Sequence, residues 1–300
     1  MKPDGPPEGL RLRLGEAVLD CSSRTVIMGV VNVTPDSFSD GGRFGEATEA
    51  VAHALRLVED GADIIDIGGE STRPRGSAYG GGAHAVSLEE ELRRVIPVVE
   101  QLARASSVPI SVDTTKAEVA HHALRAGAVM VNDISGFRYD RRMPEVVAEA
   151  GAAAVVMHVK GTPQTMQQDP RYDDLFGEII AYLEEGLRLG SAAGVTEMVV
   201  DPGLGFGKTV ADNYRIIAGL GRLQTLGRPV LIGPSRKSFL GAPLGLPLQE
   251  RQEATLAAVV AGILGGASIV RVHDVREARR AAAIADAVLE ASAQNDTPPG

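Results

Sequence analysis

The chain has no tryptophan, aromatic residues make up only 4% of it, and it holds a single cysteine. A core built without large rings must be filled by Ala, Val, Ile and Leu within the 44% hydrophobic share, a palette suited to parallel strands buried on both faces. One cysteine, Cys21, excludes an intrachain disulfide, is consistent with a reducing compartment, and reads as a small buried hydrophobe rather than as a catalytic thiol. No stretch reaches the ~18 to 20 uninterrupted apolar residues of a membrane span. Met1 to Gly9 carries Pro, Gly, Asp and Glu where a secretory signal would be apolar, so the expected location is cytoplasmic. Positive charge is also scarce: 30 Lys and Arg against 39 Asp and Glu give a net charge of −9. The basic residues are scattered, which argues against nucleic acid as a partner. G-x-S-x-G, H-E-x-x-H, a Cys/His zinc spacing and a G-x-G-x-x-G after the first strand are all missing, which removes the usual marks of a serine hydrolase, a zinc enzyme and a dinucleotide-binding sheet.

What is present is an alternation. Short β-rich runs occur at Val26 to Val31, Asp63 to Ile67, Val108 to Val112, Val129 to Asn132, Ala153 to Met157, Met198 to Val200, Pro229 to Ile232 and Ser268 to Val272. Segments of helical periodicity separate them, near 47–60, 87–105, 116–126, 142–150, 174–193, 209–220 and 252–265, with a last one near 274–292. With no compositional break, the expected fold class is α/β, a single (β/α)8 TIM barrel spanning 26–292. Residues 1–25 form an extension in which Gly15-Glu16 turns a short N-terminal β-hairpin across the lower mouth, and 293–300 read as a disordered tail.

In such a barrel the chemistry belongs at the carboxyl ends of the strands, and every run here leads into polar residues there. Asn32 with Asp36 and Asp40 offers hard oxygen ligands suited to Mg2+; Asp113, Asn132 and Asp201 offer hydrogen-bonding groups; Lys237, Arg271 and His273 suit anions. Together they suggest a polar planar ligand carrying phosphate. Blander roles are assigned to Asp274 as a helix cap, Asp133 as a turn former, and His53, His121 and His122 as packing or surface residues.

At these positions the sequence resembles the dihydropteroate synthase family. Met28-Gly-Val-Val-Asn32-Val-Thr-Pro-Asp36-Ser-Phe38-Ser-Asp40-Gly-Gly42 looks like its first signature and Gly61 through Asp66-Ile-Gly-Gly-Glu70-Ser-Thr72-Arg73-Pro74 like its second. Asp201-Pro202-Gly203 through Lys208 and Ser235-Arg236-Lys237-Ser238-Phe239 follow in the family's order. The resemblance implies condensation of 6-hydroxymethyl-7,8-dihydropterin diphosphate with 4-aminobenzoate by an SN1-like loss of pyrophosphate, with Mg2+, in a cytoplasmic homodimer. It assigns the pterin to Asp113, Asn132, Asp201 and Lys237, pyrophosphate to Asn32, Thr72, Arg271 and His273, 4-aminobenzoate to Phe38, Arg73, Phe206 and Ser235, and the metal to Asn32 and Asp40. The stretch Arg75 to Ala85 departs from the family by lengthening the second loop. A pterin-binding methyltransferase using methyltetrahydrofolate and an inert paralogue are the alternatives; the first would need no pyrophosphate site, and the second would have shown losses at Asn32, Asp201, Lys237 or His273.

Overall fold

Side chains two apart on a strand face the same way, and here that parity sorts the strands into an inner and an outer face. The computed structural model describes residues 9–33, 42–70, 86–162, 165–166 and 169–295. After the antiparallel hairpin β1 (Arg11–Leu14) and β2 (Ala17–Asp20), strands and helices alternate as β3 (Val26–Asn32), α1 (Gly42–Glu59), β4 (Ile64–Gly68), α2 (Leu88–Ala105), β5 (Ile110–Asp113), α3 (Ala117–Ala126), β6 (Met130–Asp133), α4 (Met143–Glu149), β7 (Ala153–Met157), α5 (Leu175–Ala193), β8 (Met198–Asp201), α6 (Val210–Ala218), β9 (Leu231–Ile232), α7 (Ser238–Gly241), α8 (Gln252–Leu264), β10 (Ile269–Val272) and α9 (Val275–Asn295). Strands β3 to β8 pair in sequence, β10 pairs with both β3 and β9, and all are parallel. A parallel bridge between Val200 and Val230 closes the ring of a (β/α)8 barrel.

The outer face, including Ile27, Val31, Ile65, Ile67, Val112, Val131, Val156, Val200, Ile232 and Val270, packs against the helices. On the inner face the lowest layer is apolar: Met28, Ile64, Met130, Val155, Val199, Leu231 and Ile269 form a second core with Leu12, Leu14 and Cys21 of the amino-terminal segment. In β1, Leu12 and Leu14 are buried while Arg11 and Arg13 are exposed, the alternation a half-buried strand requires. The hairpin therefore stops the amino-terminal mouth, and burial pushes the Cys21 thiol up to about 12, leaving it chemically inert.

The expected strands differ from the observed ones by a residue or two at their ends. β9 is trimmed to Leu231–Ile232, since Pro229 has no N–H to donate to a ladder. Helix α9 runs to Asn295, beyond the expected 292, and the rest of the tail lies outside the described residues. The short helix α7 and the 3-10 turns at Leu220–Leu226, Ala242–Leu244 and Leu248–Glu250 were not anticipated. Among the described residues no helix is long and apolar enough to cross a membrane.

Candidate active site

One step above the apolar layer, the same inward parity brings forward polar groups. Asp66 follows Ile64, Asn132 follows Met130, Asp201 follows Val199 and Arg271 follows Ile269, so four strands each turn a charged or polar side chain into the barrel. Asp66 is wholly buried, and its Oδ2 accepts from Arg271 Nε at 2.6 Å and from Asn132 Nδ2 at 3.0 Å. Arg271 Nη2 donates to Asp113 Oδ2 at 2.7 Å. Arg271, expected to serve an anion, is thus held between two carboxylates, which neutralise one another's burial through it.

Asp201 Oδ1 accepts the Gly203 N–H at 2.6 Å. Lys237 donates to the Leu204 carbonyl, its Nζ lying 4.6 Å from the centroid of Phe206. Ser235 Oγ is 2.9 Å from His273 Nδ1 and accepts the His273 backbone N–H at 3.3 Å. Asn32 is partly buried at the end of β3, level with Gly68. The structure therefore gathers Asp113, Asn132, Asp201, Lys237 and Arg271 into one charged constellation and sets Ser235 beside His273 at the mouth. Phe38, Asp40, Thr72, Arg73 and the lengthened stretch 75–85 lie outside the described residues.

Burial dominates the electrostatics. It pushes Asp113 up to about 7, opposed by Arg271 and reinforced by Asp66. It raises Asp201 as well, against the pull of Lys237, and brings Lys237 down to about 8. Asp113 and Lys237, balanced this way near neutrality, are the usual mark of binding or catalysis.

Two loops hold these side chains. In the first, Gly203 has φ 68°, and a Cβ there would sit 2.0 Å from the His158 carbonyl oxygen. Only glycine fits, so Gly203→Ala is expected to cost about 3 kcal/mol or more. A thermal melt should show this as a Tm lowered by roughly 5 to 10 °C; an unchanged Tm would mean the loop can move aside. In the second, Arg236 sits at φ 58° between Ser235 and Lys237, unusual for a residue with a side chain. Its N–H donates to Thr255 Oγ1 at 3.1 Å, and its guanidinium pairs with Asp274 at 2.5 Å. Asp274 stands at the start of α9 as expected, its carbonyl accepting the Ala278 N–H at 3.1 Å, while its carboxylate ties down this turn. Asp133 forms a turn as expected, accepting from Ser135 N–H and Oγ and from Phe137 N–H at 2.7 to 2.8 Å.

Three residues were not singled out from sequence. Asp66 carried a readable signal, a carboxylate between Ile65 and Ile67 within an apolar strand. Lys208 is 3% exposed, with Nζ 2.9 Å from both His158 Nδ1 and the Phe206 carbonyl; burial holds its amine well below the usual range. Lys116 joins Glu70 at 2.6 Å to Glu91 at 2.5 Å, at the foot of the second loop.

A wall of acceptors facing a lysine suits a planar heterocycle with adjacent N–H donors and a carbonyl, and the mouth beside it suits an anion. The family described as pterin binding enzymes matches residues 28–273. The chain belongs to that family and, within it, to the dihydropteroate synthases. The dihydropteroate synthase of Synechocystis is 46% identical over 280 residues, covering 92% of this chain and 94% of its own. The Yersinia pestis dihydropteroate synthase, solved with a sulfonamide drug, superposes with a TM-score of 0.85 at 42% identity, covering 95% of this chain and 100% of its own. That of Xanthomonas albilineans, in complex with 7,8-dihydropteroate, gives 0.80 at 39% identity over 96% and 100%.

Proposed function

We propose that the chain joins 6-hydroxymethyl-7,8-dihydropterin diphosphate to 4-aminobenzoate, forming 7,8-dihydropteroate and pyrophosphate. The observation that carries this reading is the convergence of Asp113, Asn132 and Asp201 with Lys237 in one buried site. The acceptors take the N–H edge of the pterin and Lys237 meets its polar ring atoms. The bond from the pterin methylene carbon to the diphosphate oxygen breaks with its electron pair leaving on pyrophosphate, and the arylamine nitrogen then bonds to that carbon and releases a proton. An arylamine is already a neutral nucleophile, so no strong base is needed. Asp113 and Asp201 soften positive charge developing on the pterin methyl, while Ser235 and His273 line the side where anionic groups rest. Arg271 would reach the leaving group by turning from Asp113.

Among the described residues no cluster of three His, Cys, Asp or Glu could hold a metal. The Asn32 amide oxygen fits a Mg2+ ion held by few protein groups and mostly by substrate phosphates, as hard cations of that size often are. When bound, such an ion neutralises charge accumulating on the departing pyrophosphate. A cytoplasmic homodimer belongs to the same proposal, the dimer supported by the exposed Tyr214 and Leu244, which line one mainly apolar surface pocket with Leu240 and Ala254.

The test is release of pyrophosphate from the pterin diphosphate, with and without 4-aminobenzoate, following dihydropteroate in the same tube. Stoichiometric, amine-dependent product is expected, lost on chelation of Mg2+ and restored by its return. Folded protein giving neither product would overturn the synthase reading; turnover unaffected by chelation would overturn the magnesium assignment.

A further inference from the structure

The carboxylate of Asp66 lies beneath the ligand-facing groups and touches none of the positions assigned to substrate except through Asn132 and Arg271. Its Oδ2 already accepts from Arg271 Nε, so a second polar group at 3.0 Å from the same oxygen must donate. For Asn132 that dictates which end of the amide points down: the NH2 goes to Asp66, and the carbonyl oxygen is left for the level of Asp113, its register neighbour. An isolated asparagine could present either end, since the two are nearly equal in shape.

We infer that Asp66 is a positioning residue that locks the Asn132 amide with its oxygen toward the ligand, and thereby selects heterocycles carrying an amino group over those carrying a carbonyl at the same ring position. The inference rests on the pterin reading of the site. Three acceptors, Asp113, Asn132 and Asp201, then line the site, and a ligand presenting a carbonyl there meets oxygen against oxygen. Selection of this kind is strong when a buried partner cannot turn to accommodate the wrong group. Asp66 cannot relax easily: it is 0% exposed, and its Oδ2 is tied to both Arg271 and Asn132.

The test compares two stable probes, 6-hydroxymethylpterin and 6-hydroxymethyllumazine, which differ in an amino group replaced by a carbonyl, by calorimetric titration of wild type and Asp66→Asn. Wild type should prefer the pterin by about a hundredfold or more. In Asp66→Asn the amide of Asn132 is free to turn over, and the preference should shrink at least tenfold. Displacement of Arg271 alone would weaken both probes alike, so the ratio reports the amide. A folded variant whose ratio stays within twofold of wild type overturns the inference. If the variant does not fold, the wild-type protein decides: the 15N-labelled side-chain NH2 of Asn132, identified by its loss in Asn132→Ala, should be shielded from hydrogen exchange, and rapid exchange overturns the inference. Wild-type protein that binds neither probe overturns the pterin reading itself.

Discussion

Replacing Asp201 by asparagine lowers kcat/KM for the pterin diphosphate by about a hundredfold or more while leaving the melting temperature within a few degrees of wild type. The shape of the side chain is kept, and an amide oxygen can still accept the Gly203 N–H that Asp201 Oδ1 now accepts at 2.6 Å. What changes is charge and polarity. The carboxylate that opposes Lys237 across the site disappears, and an NH2 is introduced where the proposed pterin would present N–H donors. Losing a charged partner in a buried hydrogen bond costs about 3 kcal/mol, or roughly a hundredfold in rate or affinity. The removal of a buried charge held at a raised pKa also relieves strain on the fold, which offsets part of the lost bonding. Steady-state kinetics and a thermal melt decide the matter; near-normal kinetics would remove Asp201 from the pterin site.

Arg271→Met should have the largest combined effect. The methionine fills a similar volume, but Asp66 and Asp113 are left as neighbouring buried carboxylates without their shared guanidinium. Stranding buried charge in this way costs about 3 to 5 kcal/mol. The sign of the pH dependence follows from Asp113. Its carboxyl stands at about 7 in the folded protein, with Arg271 holding it down. Without Arg271 the value rises further, so the variant must keep a proton on Asp113 at pH values where wild type has released it. Below about 7 both folded proteins carry that proton, so Asp113 contributes no difference between them. As pH rises through about 7 the folded variant loses stability relative to wild type, since the unfolded chain releases its proton freely. Chemical denaturation at about pH 5 and about pH 8 should show a destabilisation that grows with pH. Pterin affinity in the variant should be poor at neutrality and recover partly in alkali; a pH-independent loss would show that Arg271 does not govern Asp113.

Much of this was legible in the sequence. Strand–loop–helix order located all eight barrel strands because buried parallel strands leave compact β-branched runs, and the hairpin was visible from Gly15-Glu16 between two short apolar stretches. The rim residues could be read because a charged group directly after an apolar run has few structural excuses. Asp66 was harder: it lies inside its strand rather than after it, and only the period-two parity shared with Ile64 reveals that it points inward. Lys208 was hidden in a glycine-rich loop whose course depends on contacts with His158 and Lys160, residues some fifty positions away in the chain. The pairing of Arg271 with two carboxylates, and of Asp274 with Arg236, joins strand ends distant in sequence, which no local pattern encodes. The short helix α7 runs into Pro243, Gly245 and Pro247, where punctuation marks a turn without fixing its form.

The amino-terminal hairpin has a consequence for traffic. With Met28, Ile64, Met130, Val155, Val199, Leu231 and Ile269 filling the shaft and Leu12 and Leu14 packed beneath them, the barrel is a blind well, so a molecule cannot pass through it from one side to the other. Whatever occupies the level of Asp113 and Asn132 must arrive before its shaft is obstructed and must depart after the obstruction clears. A molecule held near Ser235 and His273, as the proposed function has it, would stand across the one open end.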